Sequence, residues 1–283
     1  MNAKTSIPAL LILTFVVISC AKVPFTGRRQ LKMVPIGTIN SMSFQQYDEF
    51  LKGSRVLTSG KEVNTVRAVG NKLIRAVNVY YKANNLADQL PEFDWEFNVV
   101  KNDTTVNAFC MPGGKVVVYT GILKITQDED GLAVVMGHEI AHALAHHGNE
   151  RMTQTMGLNG ALTGIDTYLA YRAGTSETAQ EAAQRERTRQ VMMAAAGMGA
   201  QVGIILPYSR KHESEADKIG LYLMAIAGYD VDAAAPFWSR MAAKGGQLPP
   251  EFLSTHPHPD TRQTNLKEWA AEAKEMGNKY SIN

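Results

Sequence analysis

The sequence HEIAH at residues 138–142 constrains the fold more than any other segment of the 283-residue chain. Successive residues of an α-helix are turned by about 100°, so His138 and His142 lie about 40° apart on one helical face. Both rings can therefore reach one metal ion, while Glu139 lies where it can reach a water molecule but cannot ligate comfortably. The pattern predicts a helix over residues 129–147, ended by Gly148. One face of this helix would be apolar, and another would carry the metal-binding and catalytic side chains. The alternative is a pair of surface histidines on an ordinary helix.

A metal held by two histidines of one helix needs a third ligand, because catalytic zinc has three protein ligands and one open position. Glu213, in the segment SRKHESEAD at residues 209–217, is the best candidate. Asp217 lies one turn later on the same face and is predicted to accept a hydrogen bond from a ligand histidine, which would fix its tautomer. Gly220 would let the two helices approach closely. Glu215 is predicted to point away, as a solvated residue or an ion-pair partner.

The rest of the chain indicates a mainly helical α+β fold. Aromatic and β-branched residues predict a strand at 95–100, and strands 106–111 and 115–119 flank a glycine turn, which indicates a hairpin. Periodicity predicts helices from residue 41 and over 61–83, 191–206, 209–227, 232–243 and 261–276. Of these, the apolar segment 191–206 is predicted to be a core helix, and residues 174–190 a polar helix or loop. We therefore predict one domain over 41–283, with a small β-sheet beside the HEIAH helix.

The first twenty residues have the pattern of a bacterial lipoprotein signal. An almost wholly apolar run from Ile7 to Ile18 is too short for a permanent membrane span and suits a secretory signal. The run ends in Val-Ile-Ser-Cys, which resembles a lipobox, so Cys20 is predicted to carry lipid after removal of residues 1–19. Residues 20–40 are then predicted to be a lipid-anchored extended arm, and the predicted location of the protein is the periplasmic face of the outer membrane. The alternatives are an uncleaved anchor or an ordinary signal.

Composition and cysteine content narrow the function classes further. The chain is 45% hydrophobic and 20% charged, which is typical of a folded domain, and its formal net charge of +2 gives no argument for nucleic acid binding. Lipidation of Cys20 leaves Cys110 without an intramolecular partner. Cys110 is predicted to be a small core residue rather than a nucleophile.

The motifs together resemble a family of zinc metallopeptidases that includes the HtpX, BepA and LoiP kinds and the mitochondrial Oma type. HEIAH is followed by the downstream pattern S-R-x-x-E-x-E-A-D-x-x-G, and supporting matches cover most of the chain after Cys20. LoiP-like periplasmic lipoproteins are the most similar. The supporting matches are Thr26–Leu31, Asn107–Phe109, Pro112–Gly114, Tyr119–Gly121, Ala227–Tyr229, Thr255–Pro257 and Arg262.

The resemblance implies a zincin-type fold with gluzincin chemistry. One Zn²⁺ per chain would be held by His138, His142 and Glu213, and Glu139 would be the base for a zinc-activated water. The strand at Asn107, Ala108 and Phe109 would edge the cleft, where a substrate peptide could add by main-chain hydrogen bonds.

His256 is an open question at this stage. Its Thr-His-Pro setting resembles a loop near the metal in relatives, where it would be a fourth ligand in a resting state or a donor to the oxyanion. The third alternative is loop structure only. The remaining histidines are predicted to lie at the surface, and Arg262 to pair with a carboxylate near the site or to stabilise the last helix. The histidines predicted at the surface are His146, His147, His212 and His258.

The predicted activity is endopeptidase cleavage, with unfolded or misassembled envelope proteins as substrates. Two alternative functions belong to other classes of protein. A chaperone-like assembly factor for outer-membrane proteins could use the same cleft without cutting, around a latent zinc site. A structural zinc site is the weaker rival, because such sites take four protein ligands, often cysteines.

Overall fold

The computed structural model describes residues 20–173, 178–200, 206–244, 252, 256 and 261–282. The predicted signal peptide at 1–19 lies outside these residues. The described part is mainly helical with a small sheet, which confirms the predicted α+β class. No helix among the described residues combines the length and hydropathy that a membrane span requires.

The described part of the chain contains nine α-helices and six β-strands. The helices are α1 Ile36–Lys52, α2 Lys61–Ala83, α3 Thr120–Thr126, α4 Glu129–Leu144, α5 His147–Ala173, α6 Ala179–Ala200, α7 Leu206–Ala227, α8 Ala234–Ala243 and α9 Arg262–Tyr280. The strands are β1 Cys20–Lys22, β2 Arg29–Leu31, β3 Val56–Leu57, β4 Glu96–Val100, β5 Ala108–Met111 and β6 Lys115–Tyr119.

A four-stranded sheet of order β3-β4-β6-β5 lies beside the central helices. Strand β6 is parallel to β4 and antiparallel to β5, and its valines 116, 117 and 118 are fully buried. The turn between β5 and β6 contains Gly113 and Gly114 with φ of 82° and 94°, which glycine adopts without strain. The predicted hairpin is therefore confirmed, and it leaves β5 at one edge of the sheet.

Helix α4 is the centre of the core, and every residue from Gly131 to Leu144 is buried. Its N-terminus is capped by Asp128, whose carboxylate accepts a hydrogen bond from the Gly131 N–H at 2.8 Å. Gly137 of α4 faces Gly220 of α7, and a Cβ on Gly220 would lie 3.0 Å from the His138 backbone nitrogen. The two helices are therefore in backbone contact, as the position of Gly220 predicts.

One predicted helix boundary and one predicted core position are wrong. Helix α4 ends at Leu144 because His146 takes a left-handed φ of 49°, and Gly148 lies inside the next helix. The predicted core helix at 191–206 is also wrong in its described part, since the side chains of Val191 and Met198 are 68% and 66% exposed. Among the described elements, α6 packs mainly against α5, which leaves its other faces to solvent.

The N-terminal segment differs from the predicted extended arm. Strands β1 and β2 form an antiparallel hairpin that packs on the body, and α1 already begins at Ile36. Val23 of the hairpin is buried, and the Phe25 ring stacks on Tyr80 with centroids 3.7 Å apart. Apolar contacts therefore hold the segment against the domain, where its prolines and glycines indicated an extended arm.

Candidate metal centre

Three parts of the chain bring four donor groups together. His138 and His142 come from α4, Glu213 from α7, and His256 from the segment between α8 and α9. One ligand atom from each lies within 4.8 Å of all the others, and this is the group among the described residues that could hold a metal ion. The three predicted ligands are buried, and His256 is partly buried.

The distances between these donors fit a tetrahedral zinc site. The Nε2 atoms of His138 and His142 are 3.1 Å apart, and Glu213 oxygens lie 3.2 and 3.5 Å from them. Ligands at the usual zinc–nitrogen distance in a tetrahedron are separated by about 3.3 Å. The three predicted ligands therefore have the mutual spacing that zinc requires.

His256 lies where a fourth donor would be. Its Nδ1 atom is 3.0 Å from a Glu213 oxygen and 3.3 Å from His138 Nε2, within the same range of spacings. Its Nε2 atom is 3.4 Å from Glu139 Oε1. Of the expectations for His256, loop structure alone is therefore the least compatible with these contacts.

Glu139 lies beside the donor group, and one of its oxygens accepts no hydrogen bond from the described residues. Its Oε2 accepts a hydrogen bond from the Cys110 N–H at 3.2 Å, whereas its buried Oε1 has no hydrogen-bond partner among the described residues. Burial raises the pKa of Glu139, an effect that the nearby His256 opposes. Apart from the His256 ring 3.4 Å away, this buried oxygen has no polar partner in the described part of the chain, which indicates that a further polar group belongs beside the donors. The donor set and this oxygen together fit zinc.

His138 has the predicted hydrogen-bond partner on the ring nitrogen that faces away from the other donors; we call such a residue an outer partner. Its Nδ1 is 2.9 Å from Asp217 Oδ1, so the hydrogen bond predicted for Asp217 is present. Burial alone would lower the pKa of His138, but the carboxylates of Asp217 and Glu213 outweigh it and raise that pKa to about 9. The same Asp217 oxygen also accepts a hydrogen bond from the buried guanidinium of Arg262, whose central carbon lies 3.3 Å from the centroid of the Trp238 ring. Arg262 thus pairs with a carboxylate near the site.

His142 has an outer partner that the sequence did not indicate. His147 Nδ1 lies 2.8 Å from His142 Nδ1, and His147 Nε2 lies 3.0 Å from Glu215. His147 is fully buried, and His212 is 3% exposed, so their predicted surface positions are wrong. His146 is also largely covered, with an 11% exposed side chain. His258 lies outside the described residues.

Buried carboxylates explain why these histidines are not at the surface. Glu150 accepts a hydrogen bond from His212 Nε2 at 3.0 Å, and Glu215 contacts His147, so each ring has a polar partner inside the protein. Glu215 is 8% exposed and is ion-paired with Arg28, which agrees with the second of its two predicted roles. The local sequence pattern around Glu215, two residues before Asp217, gave no sign of these contacts, and neither did the pattern around Glu150.

A cavity of about 360 Å³ opens beside the donor group. Phe109, Cys110 and Met111 of the edge strand β5 line it, together with Glu139, His142 and His256. Of the three residues predicted to bind substrate, Phe109 lines the cavity, while Asn107 and Ala108 are buried and do not line it. Burial also raises the pKa of the Cys110 thiol, so Cys110 is not poised as a nucleophile.

Comparisons with known proteins agree with this geometry. Residues 64–270 match the family model described as Peptidase family M48. The chain is 34% identical over 255 residues to the mitochondrial metalloendopeptidase OMA1 of Schizosaccharomyces pombe, covering 89% of this chain and 66% of the relative. It is 29% identical over 219 residues to the beta-barrel assembly-enhancing protease of Yersinia pestis, covering 74% and 39%. The chain thus spans about one to two thirds of the length of the curated relatives that it matches.

Proposed function

Because the chain belongs to peptidase family M48, we propose that it is a zinc-dependent endopeptidase with Glu139 as its general base. The predicted resemblance to metallopeptidases of the HtpX, BepA and Oma type is confirmed by the family match and by the names of the relatives. The observation that carries the proposal is the spacing of the three donors on α4 and α7 at 3.1–3.5 Å, beside a buried carboxylate with one oxygen that accepts no hydrogen bond from the described residues.

Different residues would have different roles in peptide hydrolysis. His138, His142 and Glu213 would hold zinc, which when bound supplies a Lewis acid that polarises a peptide carbonyl and acidifies water. Glu139 Oε1 can accept a proton from the attacking water and return it to the leaving amine, and a pKa raised by burial makes this carboxylate the stronger base. The Cys110 N–H holds the other oxygen and so orients the carboxylate.

We propose that His256 is a resting-state donor that must withdraw before cleavage. Its Nδ1 has the spacing of a fourth ligand, and its ring lies at the cavity beside Glu139. A site with four protein ligands has no open position for a water molecule. His256 would thus hold the enzyme latent until substrate or a partner displaces it.

The substrate is proposed to bind as an extended peptide along β5. This strand is one of the two edges of the four-stranded sheet and lines the cavity next to Glu139, so a peptide added to it would pass the donor group. Unfolded or misassembled envelope proteins are the proposed class, since such proteins expose extended segments. We further propose attachment to the periplasmic face of the outer membrane through lipid on Cys20, where β1 begins.

The test is Glu139→Gln, with casein cleavage and bound zinc measured on the same preparation. Removing the general base should slow cleavage by roughly 10²–10⁴-fold while zinc content stays at one per chain. Glu62→Gln, on the exposed surface of α2, is the matched control and should cleave normally. Retained cleavage by the zinc-loaded Glu139→Gln protein would refute the assignment. Full function of that variant in cells would favour the chaperone-like assembly factor instead.

A further inference from the structure

A buried polar chain connects the N-terminal hairpin to the metal ligand His142. The Arg28 Nε donates to Glu215 Oε2 at 2.7 Å, and the same Glu215 oxygen lies 3.0 Å from His147 Nε2. The other nitrogen of His147 lies 2.8 Å from His142 Nδ1. Four side chains, from three separate parts of the sequence, thus form one line of hydrogen bonds that ends on a ligand.

The order of donors and acceptors along this line fixes the tautomers. An ion-paired carboxylate only accepts, so the nitrogen of His147 that faces Glu215 must be the one that carries a proton. A neutral His147 then has a bare Nδ1, which can only accept. His142 must therefore donate from Nδ1, and its Nε2 keeps the free lone pair. That Nε2 atom faces His138 and Glu213, on the side where a metal would bind.

The hairpin fixes the direction of the Glu215 carboxylate. Thr26 Oγ1 donates to its Oε1 at 2.5 Å, while Arg28 donates to Oε2 and also forms two hydrogen bonds to Glu150 at 2.9 and 2.7 Å. Glu150 is 1% and Glu215 8% exposed, so Arg28 lies between two buried carboxylates that would otherwise repel each other. The stacked Phe25 and buried Val23 keep the hairpin in this position.

We propose that His147 and Glu215 are positioning residues that hold His142 in its metal-binding tautomer, and that Arg28 of the N-terminal hairpin holds this pair in place. The inference rests on the proposed zinc site. It gives the hairpin a part in building that site through the contacts of Arg28 with Glu215 and Glu150, neither of which is one of the four donors. An outer partner of this kind raises the basicity of its ligand and fixes the ring, and its loss typically costs 10–100-fold in metal affinity.

The tautomers can be read directly in the zinc-loaded protein with ¹⁵N-labelled histidine. Nitrogen shifts and two-bond couplings distinguish a proton on Nδ1 from one on Nε2, and His147→Gln serves to assign the His147 signals. We expect His147 to carry its proton on Nε2. A proton on Nδ1 of His147 would overturn the proposal, and this measurement needs no destabilising variant.

Zinc affinity, measured by competition with a chelator, tests the same residues independently. His147→Leu removes both hydrogen bonds and should weaken zinc binding 10–100-fold. His147→Gln should stay within about threefold of the wild type, because its amide oxygen can accept from His142 while its amide nitrogen donates to Glu215. Arg28→Met should weaken binding by a smaller factor, and Arg67→Met, at an exposed position of α2, should leave it unchanged.

The outcomes separate this inference from the proposed function. A wild-type protein that binds no zinc would refute the proposed function itself. A wild-type protein that binds zinc, together with a folded His147→Leu variant of equal affinity, would refute only the positioning role. Equal losses in His147→Gln and His147→Leu would also refute it, since a tautomer-fixing role predicts rescue by the amide.

Discussion

Gly220 lies where α4 and α7 touch, and Gly220→Ala tests whether this contact sets the spacing of the ligands. A methyl group at Gly220 would lie 3.0 Å from the His138 nitrogen and 3.1 Å from the Gly137 carbonyl carbon. Both are backbone atoms of a fully buried helix, so neither can move alone. The two helices must therefore separate by a few tenths of an ångström. Since His138 and Glu213 lie on opposite sides of this contact, their 3.2 Å spacing must increase.

The expected change in the unfolding free energy of Gly220→Ala is the difference between two opposing effects. Replacing glycine by alanine inside a helix stabilises the helix by about 0.5–1 kcal/mol. Forcing an extra methyl into a packed interface costs about 1–3 kcal/mol. The metal-free protein should therefore lose between nothing and about 2.5 kcal/mol of unfolding free energy. Zinc affinity should fall on the order of tenfold, comparable to the loss of an outer hydrogen-bond partner.

Gly164→Ala is the matched control for this measurement. Gly164 lies in α5, and a Cβ built on it meets no atom within 4 Å, so this variant should gain about 0.5–1 kcal/mol. Urea unfolding of both metal-free variants gives the steric cost as their difference, and chelator competition gives the zinc affinities. If Gly220→Ala were as stable as Gly164→Ala and bound zinc like the wild type, helix contact at Gly220 would not determine the site.

Three further predictions concern side chains around the donors. Asp217→Asn should weaken zinc binding about 10–100-fold in chelator competition and lower the urea midpoint, because the buried arginine beside it loses its carboxylate. His256→Ala should keep zinc and cleave casein faster than the wild type, whereas slower cleavage would favour the oxyanion role. Glu150 is buried, which opposes ionisation, but His212 and Arg28 lower its pKa to about 2. The stability that its ionised form contributes is thus present above about pH 4.5 and lost as the pH falls towards 2. The unfolding free energy of Glu150→Gln should accordingly fall less over that range, as urea titrations at several pH values would measure.

Local spacing was sufficient to predict the inner part of the site. Residues four apart share a helical face wherever the helix lies, so His138 with His142, and Glu213 with Asp217, could be paired from the sequence. The glycine turn likewise determined the β5–β6 hairpin, because few other residues adopt its positive φ values. In both cases the information lies within a few residues of the feature that it predicts.

Burial of polar residues was not predictable in the same way. His147 and His212 lie in polar sequence, which is typical of a solvated helix face, yet both are buried. The run at 191–198 is apolar, which is typical of a core helix, yet Val191 and Met198 are exposed. A polar side chain is stable inside a protein when a partner meets it there. The partners of these histidines are glutamates of other helices, and the arginine between those glutamates lies 122 and 187 positions from them in the chain.

The sequence by itself therefore determined which residues could hold a metal and on which kind of element they lie. Helical and hairpin periodicity are local, so they required no knowledge of the packing. Only the tertiary structure places His256 beside the other donors, His147 against His142, and Arg28 of the N-terminal hairpin against Glu215. These contacts join residues that are distant in the chain, and their geometry is set by how the core packs.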